Sequence, residues 1–112
     1  MIEIRQYVDR QGRTPFLKWL DALNDEAQAR VAKSLERLEH GNFTSVKGVG
    51  VGVQELRIDF GPGYRIYFGR DGERLVILLA GGSKKRQQTD IERAKELWQE
   101  FKLRKREGTW HH

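Results

Sequence analysis

Apolar and polar residues alternate in several short segments of the chain, as they do in half-buried β-strands. The alternation in M-I-E-I-R predicts a first strand at about residues 1–8. Three further strands are indicated by Q-E-L-R-I-D-F, Y-R-I-Y-F and the apolar run L-V-I-L-L-A, which are separated by a Gly-Pro-Gly turn and an Asp-Gly turn. Because Asp-Gly is a strong hairpin signal, we expect these three strands to form a meander. The first strand then completes a four-stranded sheet at one side.

Apolar residues recur at helical spacing between the first strand and the meander. Thr14 and Pro15 predict the start of one helix, because threonine caps helices and proline suits the first turn. Asn24 predicts the start of a second helix, which Gly41 ends. The two helices should form an antiparallel hairpin that lies on the sheet.

A third helix is predicted after the meander. Thr89 and Glu92 have the spacing of a capping box, which is worth about 1 kcal/mol. Trp98 and Phe101 belong to the apolar stripe that follows, so we expect them to pack on the sheet. Beyond Lys102 the chain is basic and is expected to fray.

Residues 41–52 contain several glycines and no clear periodicity, so they are predicted to form a loop. The G-V-G-V-G run within them matches neither the dinucleotide-binding pattern nor the P-loop pattern, and no helix follows it directly. We therefore assign this loop no phosphate-binding role.

The predicted elements define one α+β domain at residues 1–103. An N-terminal strand and a helical hairpin pack on a mainly antiparallel four-stranded sheet, and a helix follows. A chain of 112 residues is long enough for one core. Residues 104–112 are predicted to be a basic C-terminal tail, in which we interpret His111 and His112 as the remnant of a purification tag.

The composition excludes several classes of protein. There is no cysteine, which excludes disulfides and thiolate chemistry. No stretch of about 18 apolar residues is present, so no membrane span is expected and the interpretation is a cytoplasmic protein. No histidine pair has ligand spacing and the acids are scattered, so neither a metal nor a cofactor is expected.

The net charge of +5 is concentrated in one segment. Between Lys84 and Arg106 there are nine basic residues and four acidic ones, so this segment carries the whole excess. Such a segment favours a polyanion such as nucleic acid, or an acidic protein. A solvated helix face is the alternative interpretation.

Two motifs in sequence give the chain a family resemblance. E-L-R-I-D-F-G-P-G-Y-R-I-Y-F is followed by L-L-A-G-G-S-K-K-R-Q-Q-T-D-I-E-R-A. Together with the predicted order of elements, they resemble the RelE/ParE superfamily of bacterial type II toxins, and within it the HigB-like addiction-module killer proteins. The resemblance extends from Ile2 to about Leu103.

The resemblance implies a RelE-like fold and a toxin that cleaves messenger RNA on the translating ribosome while a cognate antitoxin holds it inactive. Arg65 matches the arginine that the RelE branch places on the scissile phosphate, and Lys84 and Lys85 match its basic pair after the last strand. Two positions depart from the RelE pattern. RelE proteins have two lysines on the strand before the turn, where this chain has Val53 and Glu55. They also have a tyrosine near the start of the last helix, which corresponds to about Ile91 here.

Metal-independent cleavage of RNA requires a base for the 2′-hydroxyl and an acid for the 5′-leaving oxygen. It also requires cationic side chains that stabilise the negative charge of the pentacoordinate phosphate. The catalytic candidates for positive charge are Arg65, Arg57, Lys84 and Lys85. Glu55 or a lysine is a candidate base, and Tyr67 or Lys85 a candidate acid; His40 is interpreted as a helix C-terminal cation. Since no group is poised by sequence, we expect the free protein to cleave RNA poorly and to depend on the ribosome for orientation.

Other residues have both a binding and a structural interpretation. Arg86, Gln88 and Arg93 are candidate RNA-binding residues. Arg57 could instead pair with neighbouring acids on the sheet. Tyr67 could stack on a base or pack within the sheet.

Two alternative functions stay open at the level of sequence. One is a ParE-like protein that inhibits DNA gyrase without nuclease chemistry, which the missing lysines at Val53 and Glu55 allow. The other is a non-toxic basic RNA-binding module. Gathered cations favour the endoribonuclease, because gyrase binding does not require them around one groove.

Overall fold

The structure is a computed structural model that describes residues 1–109. Trp110, His111 and His112 lie outside this range, so the prediction for the two histidines falls outside the described residues. The strands are β1 (Glu3–Gln6), β2 (Val46–Gly50), β3 (Val53–Ile58), β4 (Tyr64–Arg70) and β5 (Leu75–Ser83), and the helices are α1 (Pro15–Asp21), α2 (Asp25–Glu39) and α3 (Gln87–Glu107). A short 3-10 turn, Lys84–Arg86, joins β5 to α3.

The five strands form one sheet in the order β1-β5-β4-β3-β2. β1 lies parallel to β5, whereas all other neighbours are antiparallel. The predicted meander and the position of β1 at one edge are therefore confirmed. The strand count is not, because the sheet has five strands instead of four.

The additional strand is β2, which lies in the segment that was predicted to be a loop. Its glycines remove the side chains whose alternation would have indicated a strand, and the register with β3 shifts between Gly48 and Gly50. Gly50, Val51 and Gly52 then have positive φ angles of 110°, 47° and 88°, which give the tight turn into β3. The consequence for the site is that β2 covers part of β3.

Helices cover both faces of the sheet. Phe16 of α1 and Val31 and Leu38 of α2 pack on one face, and α3 packs on the other through residues that include Trp98 and Phe101, as predicted. The sequence interpretation gave β3 and β4 a single core face. Both faces of β4 are buried instead, whereas Arg57 of β3 stays exposed. Residues of β4 that alternate away from α1 and α2 therefore lie beneath α3.

The start positions of the first two helices are confirmed, although Thr14 precedes α1 without a side-chain capping hydrogen bond. Pro15 occupies the first turn of α1, and the Asn24 side chain accepts a hydrogen bond of 2.9 Å from the backbone N–H of Ala27. Gly41 follows α2 with a φ of 86°, in the left-handed region that favours glycine.

Both predicted ends of α3 are wrong. The helix begins at Gln87, so Thr89 lies inside it and no capping box forms. It continues to Glu107 and is ended by Gly108, whose φ is 73°. The last turns do not fray, because Arg104 donates a hydrogen bond of 2.7 Å to the Val8 carbonyl. Within residues 1–109, no helix has the length and apolar character needed to cross a membrane.

Candidate functional site

A buried ion pair joins β3 to β4 on the face that α3 covers. Glu55 lies opposite Tyr67 and Arg57 opposite Arg65 in the register of the two strands, so Glu55 and Arg65 are diagonal neighbours. The Nε atom of Arg65 is 3.7 Å from Oε1 of Glu55, and the side chains are 8% and 1% exposed. Because an isolated buried charge is very unfavourable, each of these residues requires the other.

The Arg65 guanidinium is directed by the turn before β4. Its Nη1 donates a hydrogen bond of 2.8 Å to the carbonyl of Gly63. Its Nε has no hydrogen-bond partner within residues 1–109, so the contact with Glu55 is an ion pair without a hydrogen bond. One edge of the guanidinium is thus fixed by the backbone and the other by charge.

Two further side chains enclose the Glu55 carboxylate. Gln87, the first residue of α3, donates a hydrogen bond of 2.9 Å to Oε2, and the Lys47 ammonium on β2 is 3.7 Å from Oε1. With Arg65, the carboxylate therefore has partners on three different elements. This enclosure separates Glu55 from solvent, so in this conformation it orients Arg65 and does not meet an RNA 2′-hydroxyl directly.

Lys84 lies beside Arg65 because of the strand register. Arg65 is opposite Gly82 and Tyr64 is opposite Ser83, so β5 ends where β4 begins and Lys84 follows immediately. A Cβ placed on Gly63 would lie 3.3 Å from Nη1 of Arg65 and 3.6 Å from Cβ of Lys84. The structure thus brings these two predicted site residues together on either side of one glycine.

The remaining predicted cations are exposed. Lys85 and Arg86 share the 3-10 turn with Lys84, and Arg57 is paired with Asp59 at 3.5 Å, as its structural interpretation proposed. On α3, Gln88 is exposed and Arg93 is paired with Glu96 at 3.4 Å. Solvent-exposed pairs of this kind are weak, so both arginines can exchange their partners for a phosphate.

Tyr67 is fully buried beneath α3, which is the packing role that the sequence left open. Burial raises the pKa of its hydroxyl, and the negative charge of Glu55 raises it further. Tyr67 therefore stays neutral at physiological pH. Its enclosed position offers no route for stacking on a base in this conformation.

Asp90, in the first turn of α3, is a member of the site that sequence reasoning missed. Its carboxyl rests against the backbone of Gly82, in space that a Cβ would fill, and its Oδ2 has no hydrogen-bond partner within residues 1–109. Burial raises the pKa of Asp90, although the nearby positive charge of Arg86 lowers it in part. Asp90 is thus a half-buried carboxyl suited to exchange a proton.

The family was identified by comparison with known proteins. Residues 18–102 match the model of the phage derived protein Gp49-like family (DUF891). This match covers most of the chain and every residue of the site described above. The chain belongs to the Gp49-like family. It is also 47% identical over 89 residues to an uncharacterized protein of Haemophilus influenzae, covering 79% of this chain and 90% of that protein.

The Gp49-like family is RelE-like and is associated with the toxins of toxin–antitoxin systems. The RelE-like character predicted from the two motifs is therefore supported at the level of the family. An α+β architecture with a C-terminal helix on the sheet is compatible with it.

Three residues of this Gp49-like site were missed for identifiable reasons. Lys47 lies on the strand that was predicted to be a loop. Gln87 precedes the predicted start of α3, so it was not expected to reach β3. Asp90 was counted only among the four acidic residues of the basic segment, although the Gly81-Gly82 pair before it is a signal that another group approaches the strand closely.

Proposed function

We propose that this protein is a HigB-like toxin that cleaves messenger RNA on the translating ribosome and is held inactive by an antitoxin. The observation that supports the proposal is the fixed guanidinium of Arg65, which lies between the Gly63 carbonyl and Glu55 with Lys84 beside it. A cation held rigidly at a strand end stabilises the charge that develops on a phosphate without reorganising during the reaction.

The reaction transfers a phosphoryl group from the 5′-oxygen of one nucleotide to the 2′-oxygen of the nucleotide before it. The 2′-oxygen of one nucleotide attacks the adjacent phosphorus and loses its proton, while the bond from phosphorus to the 5′-oxygen breaks and that oxygen gains a proton. The products are a 2′,3′-cyclic phosphate and a 5′-hydroxyl. Arg65 and Lys84 neutralise the additional negative charge on the phosphorane oxygens.

We assign proton transfer to Asp90. A carboxyl whose pKa is raised by burial releases and accepts a proton closer to neutral pH than an ordinary aspartate. Glu55 and Tyr67 are enclosed, at 1% and 0% exposure, so neither is placed to touch RNA, and Glu55 serves to position Arg65.

The enclosure of the candidate base Glu55 and the candidate acid Tyr67 also explains the proposed dependence on the ribosome. Orientation of reacting groups can supply roughly 7–11 kcal/mol of a barrier. A site that provides fixed positive charge and one half-buried carboxyl benefits strongly from an external surface that places the RNA. Naked RNA should then be cut slowly.

Mapping of RNA ends in a purified translation system tests the proposal. A defined message with ribosomes should be cut rapidly by the wild-type protein, and the same message without ribosomes should be cut only slowly. Arg65→Gln should reduce cutting by about 100-fold, the usual scale for removing one stabilising donor. Arg74→Gln, which removes an exposed arginine at the turn between β4 and β5, is the matched control and should cut normally.

Because Arg65→Gln leaves Glu55 without its buried partner, the double variant Glu55→Gln/Arg65→Gln is also required. It removes both charges and should remain folded yet inactive. Cutting by this folded double variant at the wild-type rate would disprove the role of Arg65. Rapid cutting of naked RNA by the wild type would disprove ribosome dependence.

Inhibition of DNA gyrase is the second candidate function, and one observation favours it. Glu55 places a carboxylate inside the cation cluster, where it offsets part of the charge of Arg65. Expression in cells distinguishes the two functions: cut transcripts support the nuclease, and DNA breaks with intact transcripts support gyrase inhibition. Normal growth with neither lesion supports a non-toxic binding module.

The proposed antitoxin should bring acidic groups to this site. Covering Lys84, Lys85 and Arg86 with carboxylates would neutralise the exposed turn and exclude RNA at the same time. An antitoxin segment with acidic residues is therefore the expected partner.

A further inference from the structure

A second basic surface lies on the opposite side of β3 from α3. It is a groove of about 550 Å³ between α2 and the end of β3, and we call it the α2–β3 groove. Its basic residues are Arg30, Lys33 and Arg37 on α2 and Arg57 on β3. None of the α2 cations was a candidate site residue in the sequence.

The spacing of the three α2 cations places them in one row. Positions 30, 33 and 37 are separated by three and four residues, so they share one face of the helix. The neighbouring positions Val31 and Leu38 are fully buried in the core, which fixes the rotation of the helix and keeps the row at the groove. The row extends over about 10 Å, at 1.5 Å per residue, so it can meet consecutive anionic groups.

These cations lack anionic partners within the described residues. No carboxylate of residues 1–109 lies within ion-pair distance of Arg30, Lys33 or Arg37. The acid among the groove residues is Asp59, which pairs with Arg57 at 3.5 Å. The groove therefore carries excess positive charge that a ligand can neutralise.

One cation is also held in place by an aromatic ring. The guanidinium carbon of Arg30 lies 4.5 Å from the centroid of the Phe60 ring. This cation–π contact reduces the freedom of a long side chain without using its hydrogen-bond donors. Arg30 is therefore presented to the groove with its donors available.

The polar character of the groove favours phosphate over an amphipathic peptide. Its walls include Asn42, Thr44 and Ser45, side chains that commonly contact the backbone of nucleic acids. The apolar residues beneath, Leu56 and Ile58, are only 4% and 6% exposed. An amphipathic helix would find little apolar surface there, whereas a phosphodiester chain would find cations and hydroxyl groups.

We propose that the α2–β3 groove binds the phosphodiester backbone of RNA on the face of the sheet opposite the Arg65 site. Arg57 lines the groove and is also the cross-strand partner of Arg65. Its side chain alternates with those of Leu56 and Ile58 along β3, so it lies on the Arg65 face at the boundary of the groove. This inference rests on the proposed function only in taking RNA as the ligand.

Fluorescence anisotropy with a labelled single-stranded RNA tests the groove directly. The RNA carries 2′-O-methyl groups, so binding is measured without cleavage. Arg30→Gln/Lys33→Gln/Arg37→Gln should weaken binding roughly 10- to 100-fold and reduce the slope of log affinity against log salt by about 2, as expected for three lost phosphate contacts on a single strand.

The matched control removes three charges elsewhere: Arg5→Gln/Lys18→Gln/Arg74→Gln replaces exposed residues of β1, α1 and the turn after β4. It should retain nearly the full affinity and salt slope. The double variant Lys33→Gln/Arg37→Gln leaves the Arg30 contact with Phe60 intact, so it should fold normally and still lose affinity. Thermal unfolding of each variant verifies the fold.

The outcomes separate this inference from the nuclease. Equal RNA affinity of the groove variant and the control variant would overturn it. If the groove variant lost binding to a glutamate-rich peptide while its RNA affinity was unchanged, the inference would also be overturned, and the groove would be a site for an acidic protein. Groove-dependent RNA binding without ribosomal cutting would uphold the groove and refute the nuclease. Ribosomal cutting together with RNA binding that does not depend on the groove would support the nuclease and refute the groove.

Discussion

The carboxyl group of Asp90 occupies the space beside Gly82 that a Cβ atom would fill. This contact lets the first turn of α3 approach β5 closely and places a half-buried acid opposite the strand that carries Arg65. It also makes Gly82 a residue whose substitution should act on the site through Asp90.

We therefore predict that Gly82→Ala displaces Asp90. The new methyl group would overlap the carboxyl, and overpacking of this kind costs typically 1–3 kcal/mol. Urea unfolding should report that loss, and ribosome-dependent cutting should fall. Gly48→Ala is the matched control, because a Cβ there has nothing within 4 Å and should change neither quantity.

The double variant Gly82→Ala/Asp90→Ala identifies the cause. If the overlap with the carboxyl is responsible, removal of Asp90 should recover most of the stability that Gly82→Ala loses, while cutting stays low. An additive loss in the double variant would show that the two residues do not interact.

The raised pKa of Asp90 predicts a dependence of stability on pH. Above the ordinary value of 3.8 the unfolded carboxyl ionises first, so the native state holds more protons and the free energy of unfolding falls as the pH rises. Asp90→Asn cannot ionise and should be more stable than the wild type at pH 7. The advantage should shrink as the pH falls from 7 through the raised pKa of Asp90 toward 3.8, and should stay constant below it.

Asp9 provides a control of opposite sign. Burial alone would raise its pKa, but the backbone N–H groups of Arg13 and Gln11, which donate hydrogen bonds of 2.8 and 2.9 Å, lower it below 3.8 overall. Asp9→Asn should therefore be less stable than the wild type at pH 7, and the difference should disappear in acid. Thermal unfolding from pH 3 to 8 measures both variants; parallel curves for wild type and Asp90→Asn would contradict the assignment.

Because Glu55 and Arg65 form a buried pair, we predict that substitutions of the two residues have strongly non-additive effects on the free energy of unfolding. Removing one partner leaves an unpaired buried charge, so Glu55→Gln and Arg65→Gln should each lose about 3 kcal/mol in urea unfolding. Glu55→Gln/Arg65→Gln should lose clearly less than the two single losses together, because both charges are gone. Additive losses would mean that the two groups do not interact in solution.

The sequence predicted the order of elements because period and turns are local properties. The meander and the burial of Trp98 and Phe101 follow from residues close in the chain, whereas β1 takes its edge position by pairing with the distant strand β5. β2 was missed because glycines show no alternation. The burial of Tyr67 was undecided because it depends on which face α3 covers, and the alternation along one strand does not contain that information.

The site was predictable only in part for the same physical reason. Lys84 follows a buried strand, so its position next to the sheet could be predicted. The enclosure of Glu55 by Lys47 and Gln87 depends on three elements meeting. The net charge could not indicate the α2–β3 groove, because the residues outside 84–106 are neutral in total. The cations of the groove come together on one surface only when the chain folds.

The start of α3 offers a direct test of sequence against structure. A capping box would make Thr89→Ala cost about 1 kcal/mol. Because α3 begins at Gln87 and Thr89 is exposed within its first turn, we expect Thr89→Ala to change the free energy of unfolding by less than about 0.5 kcal/mol, as is usual for surface positions. Asn24→Ala is the matched comparison: its side chain caps α2 through the Ala27 N–H, so its loss should cost about 1 kcal/mol. Urea unfolding of the two variants under the same conditions measures both, and an equal loss at Thr89 would place the start of α3 at the predicted capping box after all.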